Sequence, residues 1–91
     1  MTVTIGSTTF DKHEYDVRGD VLYLSVGDPK TPSRTVGTTE GHAVDYDESG
    51  VIIGMVLVNV RFLLDRDGAI TVTVPPDRVL PANIESALVA A

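Results

Sequence analysis

The chain has 91 residues, 43% of them hydrophobic, which suffices for one folded domain and is too short for two. Thirteen acidic against seven basic residues give a formal charge of −6, a balance that repels phosphate backbones and argues against nucleic-acid binding. Cysteine is absent, so disulfides and thiolate metal sites are excluded, and the longest apolar run, Val51–Val58, falls far short of a membrane span.

Met1–Ser7 lacks the basic flank and apolar stretch of a signal segment, so a cytoplasmic location with no membrane partner is expected. Thr2–Ile5 alternates polar and apolar as a strand does, Gly6-Ser7 marks a turn, and Thr8–Tyr15 reads as a second, more polar strand. Arg18-Gly19-Asp20 is a turn signal. Val21–Val26 follows as a strand with Leu22, Leu24 and Val26 on one face and Tyr23 on the other. Gly27–Gly41, with two prolines, three glycines and no period, reads as an exposed loop.

Ala43–Tyr46 is the next strand, and Asp47-Glu48-Ser49-Gly50 a hairpin turn. Val51–Val58 is apolar on both faces, with Val51, Ile53, Met55 and Leu57 on one and Ile52, Val56 and Val58 on the other, which marks a central strand. Gly54 interrupts it and predicts a bulge or a close backbone approach. Asn59–Asp67 reads as a helix capped by Asn59, with Val60, Leu63 and Leu64 on one face, Arg61 paired with Asp65, and Gly68 at its end. A strand ending in a turn at Asp65–Gly68 is the alternative. Ala69–Val74 is a strand closed by Pro75-Pro76, and a terminal helix runs from Pro81 with Ile84, Ala87 and Leu88 buried. The order predicts an α+β domain over residues 1–91: a small, mainly antiparallel sheet with a short helix near 59–67 and a C-terminal helix.

Asp45-x-Asp47-x-Ser49-Gly50 opens like a calcium loop, but the position of the closing carboxylate is Val56, so an acidic turn is the better reading. His13-Glu14 starts like a zinc-protease motif and fails at Val17. No nucleotide or hydrolase fingerprint occurs, and no cofactor or metal is expected. His42 sits near Asp45, yet in an extended chain His42, Val44 and Tyr46 point one way and Asp45 and Asp47 the other, which favours a structural histidine over an acid–base pair.

Tyr15-Asp16, Asp20-Val21-Leu22-Tyr23-Leu24, Glu40 through Asp47, and Gly50-Val51-Ile52-Ile53-Gly54 together resemble the bacterial domain-of-unknown-function family 2283. The continuation from Val58 to Leu64, and on through Asp67-Gly68 and 70–75, looks like an actinobacterial version with an appended strand. The resemblance implies a small β-sheet domain with no assigned activity. It also implies an antitoxin-like partner role, from members encoded beside small toxin-like proteins. Many members carry an acidic residue after the glycine that follows the turn; this chain has Met55 there, so no role of that carboxylate carries over.

The preferred expectation is a non-catalytic interaction module, homodimeric, with a small basic protein as a further partner. A strand apolar on both faces, in a chain with helices for one, motivates the dimer. The alternative is a small-ligand-binding or hydrolytic domain using Glu40, His42 and Asp45 near Tyr23.

Overall fold

The computed structural model describes residues 2–28, 31–74 and 77–88. The chain forms β1 (Val3–Ile5), β2 (Thr8–Phe10), β3 (Lys12–Asp16), β4 (Val21–Ser25), β5 (Arg34–Gly37), β6 (Ala43–Tyr46) and β7 (Ile52–Val58). Then come α1 (Val60–Asp67), β8 (Ile70–Val72), β9 (Asp77–Val79) and α2 (Pro81–Ile84), which runs into a 3₁₀ turn over Glu85–Leu88. Five strands make one antiparallel sheet in the order β3-β4-β7-β6-β5, and β1-β2 and β8-β9 are separate hairpins. The α+β class expected from the sequence is the one observed.

The sheet's inward rows supply Leu22 and Leu24 from β4, Val44 and Tyr46 from β6, and Met55 and Leu57 from β7. The second layer meets them with Val3, Ile5 and Phe10 of the first hairpin, Val60 and Leu64 of α1, Ile70, Val72 and Val79 of the second hairpin, and Ile84, Ala87 and Leu88. These side chains form one cluster, so hairpins and helices share a single face of the sheet. Among the described residues no helix is long and apolar enough to cross a membrane.

Several expectations need correction. The polar strand read over Thr8–Tyr15 is broken at Asp11, where the chain passes from the β1-β2 hairpin into the main sheet; the Asp11 carboxylate accepts the Gly27 N–H at 2.7 Å. The stretch Gly27–Gly41 contains β5. Its Arg34-Thr35-Val36-Gly37 shows no alternation because only Val36 packs on the core, and pairing with β6 is what makes it a strand. Pro29 and Lys30, and the strand-ending Pro75-Pro76, lie outside the described residues. β9 has no signal in the sequence, since three residues with one buried apolar side chain carry no period.

β7 is central, between β4 and β6, as its composition predicts. The register shifts at Asp45/Tyr46, which brings Ile52 opposite Tyr46 and packs it on the core rather than on the face of Val56 and Val58. Gly54 satisfies both expectations made of it. It sits beside this bulge, and a Cβ there would lie 3.0 Å from an Asp45 carboxylate oxygen and 3.3 Å from the Leu24 carbonyl oxygen.

α1 exists, but Asn59 does not cap it. Asn59 is left-handed (φ 55°, ψ 40°) and makes no side-chain cap bond, because a capping side chain reaches the helix from extended backbone. Asp20 supplies the cap from the β3–β4 turn. Its carboxylate accepts the N–H groups of Arg61 at 2.8 Å and Phe62 at 3.1 Å, and its carbonyl accepts that of Val60 at 3.2 Å. The Tyr15 hydroxyl donates to the same carboxylate at 2.7 Å. Arg61 pairs with Glu85 at 3.2 Å, not with Asp65, and ties α1 to the C-terminal turn. Gly68, at φ 76°, ends the helix by donating its N–H to the Leu64 carbonyl.

Burial pushes the Asp20 carboxyl up, but the bonds from Tyr15, Arg61 and Phe62 and the Arg61 charge outweigh it and leave it below the usual carboxylate range. Burial first, then the Asp20 carboxylate, pushes the Tyr15 phenol up to about 12. Asp20 therefore stabilises the fold above the ordinary carboxylate range, and this is lost as pH falls through its lowered value. The Tyr15 contribution is complete below pH 10 and is lost as pH rises toward 12. Asp20→Ala is expected to cost about 2 kcal/mol in urea unfolding, while Asp20→Asn, which caps as well and tolerates left-handed backbone, retains most of the stability.

Candidate functional site

The outward rows of the sheet follow from its register. Lys12, Ser25, Gly54, Asp45 and Thr35 form one row, and Glu14, Tyr23, Val56, Ala43 and Gly37 the next; Asp16, Val21 and Val58 begin a third. Ala43, Val56, Val21 and Val58 are half-buried and Tyr23 is 46% exposed, and none belongs to the core cluster. Among the described residues, the sheet thus has one covered face and one open to solvent, with an apolar centre around Tyr23 and Val56. On this face Asp45 accepts a hydrogen bond from the Thr35 hydroxyl at 2.6 Å and leans over the bare Gly54 backbone.

Tyr23 and Asp45, two of the four residues singled out in the sequence, are therefore on the open face, one on each strand flanking β7. The other two are elsewhere. Glu40 lies in the β5–β6 turn, where its carboxylate accepts the Thr73 N–H at 3.1 Å and the Thr73 hydroxyl, strapping the end of β8 to that turn. The Thr73 hydroxyl is the main reason its carboxyl is lowered to about 2.

His42 is 2% exposed and points into the covered side with Val44 and Tyr46, as the alternation predicts. Its Nδ1 accepts the Val58 N–H at 3.1 Å, standing in for a strand carbonyl just before the start of β6. A ring that accepts at Nδ1 carries its proton on Nε2, and that buried atom has no hydrogen-bond partner among the described residues. Burial lowers the imidazole pKa, with the Glu40 charge opposing it. A sealed imidazole and a carboxylate committed to Thr73 are structural parts, not a proton relay.

The acidic turn after β6 is likewise a local device. The Asp47 carboxylate accepts the N–H groups of Ser49 at 2.8 Å and Val51 at 3.0 Å, which accounts for the calcium-loop spacing without a cation. Among the described residues no group of three or more histidine, cysteine or acidic side chains could hold a metal ion. An open cleft of about 570 Å³ beside this turn is lined by residues including Pro32, Asp47 and Ile53, and by none of Tyr23, Glu40, His42 or Asp45.

The sequence singled out Tyr23 and Asp45 but not Lys12, Val21 or Ala43, which complete the open face. Alternation alone was the available signal, and it joins residues across strands only once the register is known.

Protonating His42 removes the acceptor of the Val58 N–H and buries a charge. Its contribution to stability is present above its ordinary pKa of 6.5 and is lost as pH falls through its lowered value. Urea unfolding is expected to show stability falling as pH drops below 6.5, with a slope of up to about 1.4 kcal/mol per pH unit. The Glu40 and Asp20 carboxyls lose their contributions only at lower pH, so His42→Gln should flatten this window.

The model of a family described as a protein of unknown function, DUF2283, matches residues 12–61. That segment holds the whole five-stranded sheet and the Asp20-capped start of α1, while the β1-β2 hairpin, the β8-β9 hairpin and α2 lie outside it. The position where the family resemblance calls for an acidic residue, Met55, is fully buried in the core. Neither a curated protein nor a solved structure matches the chain. With more than half of its length in the matched segment, the chain belongs to the DUF2283 family.

Proposed function

We propose that this protein is a non-catalytic interaction module that self-associates through the open face of its five-stranded sheet. One observation carries this reading: every described hairpin and helix contributing to the core packs on one side, leaving Tyr23, Val56, Val21, Val58 and Ala43 as a contiguous apolar centre on the other. Soluble proteins seldom leave the apolar centre of a sheet facing water without a partner for it. The placement of His42 inside the core and of Glu40 against Thr73 speaks for binding over chemistry.

The net charge of −6 suits a basic protein as a further partner, in the antitoxin-like role that the family resemblance implies. The face is about 19 Å across, four strand spacings of ~4.8 Å. It lies toward the small end of specific interfaces, so association should be reversible. Sedimentation equilibrium from micromolar to near-millimolar protein is expected to show a monomer–dimer equilibrium, with Tyr23→Glu monomeric and folded. A wild-type monomer throughout that range would contradict self-association.

A further inference from the structure

The open face has a pattern of charge that only some pairings can satisfy. Its β3 side carries Glu14 and Asp16 besides Lys12, while its β6 side carries a single charge, Asp45. Lys12 and Asp45 occupy the same row, on strands placed symmetrically about the line between β4 and β7.

We infer, taking the self-association above as its basis, that two copies pack face to face about a two-fold axis parallel to the strands and lying between β4 and β7. Such an axis sets β3 of one copy over β6 of the other and β4 over β7. Each Lys12 then faces Asp45 of the second copy, and each Tyr23 ring lies over the second copy's Val56. Glu14 falls on the uncharged Ala43, and Asp16 falls outside β6 in the row of Val58, so no carboxylate of one face meets another.

The competing two-fold, at right angles to the strands, stacks Glu14 on Glu14 and Tyr23 on Tyr23, with Lys12 over Asp16. Its like-charge contact at the interface is what the first arrangement avoids. The Thr35 hydroxyl holds Asp45 in place over Gly54, so its carboxylate is positioned before the second copy arrives.

Charge reversal tests this directly. Lys12→Glu and Asp45→Lys should each weaken the dimer at least tenfold, and an equimolar mixture of the two should recover association as a heterodimer, since both of its interface pairs are then opposite in sign. Cysteine crosslinking provides a second measurement that does not depend on Asp45→Lys folding. The chain has no cysteine of its own, and in this arrangement the Lys12 positions of the two copies, like their Asp45 positions, are offset by about 14 Å, three strand spacings, beyond reach of a disulfide. Lys12→Cys mixed with Asp45→Cys should therefore oxidise to a covalent heterodimer in preference to either homodimer.

If the wild type dimerises but the mixed reversal variants stay apart and the cysteine pair fails to couple, the two-fold is wrong and self-association stands. Rescue of Lys12→Glu by Asp16→Lys would assign the perpendicular axis instead. A wild type that remains monomeric overturns both.

Discussion

Asp20 holds together parts of the chain that nothing else local would join. It is left-handed, at φ 56°, within the β3–β4 turn, and its carboxylate gathers the Tyr15 hydroxyl and two N–H groups from the first turn of α1. A helix start needs acceptors for its free N–H groups, and here the acceptor belongs to a turn some forty residues earlier. As the chain leaves β7 through left-handed Asn59, this bond fixes the side of the sheet on which α1 lies. The β8-β9 hairpin and the C-terminal turn follow α1 onto that same face, and the Arg61–Glu85 pair helps to keep them there. With the β1-β2 hairpin on that face as well, the anchoring of α1 helps to leave the opposite face bare among the described residues.

The family-matched segment and the added elements divide the work accordingly. Lys12 to Arg61 builds a complete antiparallel sheet, and the remainder supplies most of the apolar layer that covers one side of it. Glu40 lies where these parts meet, with His42 two residues on. Glu40 reaches across to Thr73 at the end of β8, and His42, two residues later, completes the hydrogen bonding of β7 at Val58. Both are polar groups with a positional role, and both become structurally committed for the same reason: a short chain has to satisfy buried or ordered backbone with the side chains nearest to hand.

This division bears on function. A site that does chemistry needs polar groups converging on a cavity, whereas the open face presents an apolar centre with charges at its margins. That distribution is what the proposed self-association rests on. Tyr23 is the large aromatic side chain exposed on this face, on the strand beside β7.

Composition and alternation determined the strong features of this protein. The absence of thiol chemistry, the α+β class, the central position of β7, the helix ended by Gly68, and the inward direction of His42, Val44 and Tyr46 all follow from local residue patterns. Each of these needs only the period of the backbone and the chemistry of one turn. Other features were decided by the tertiary structure alone. β5 and β9 are strands because neighbours offer them free ladders, not because Arg34–Gly37 or Asp77–Val79 alternate. The cap of α1 comes from Asp20 rather than Asn59, and the bulge at β7 moves Ile52 into the core. A period shows which residues share a face of one strand; only the pairing of strands and the anchoring of a distant helix show which face is covered. The apolar composition of β7 raised the question of what lies on its second side. Among the described residues, the fold answers it by leaving that side open.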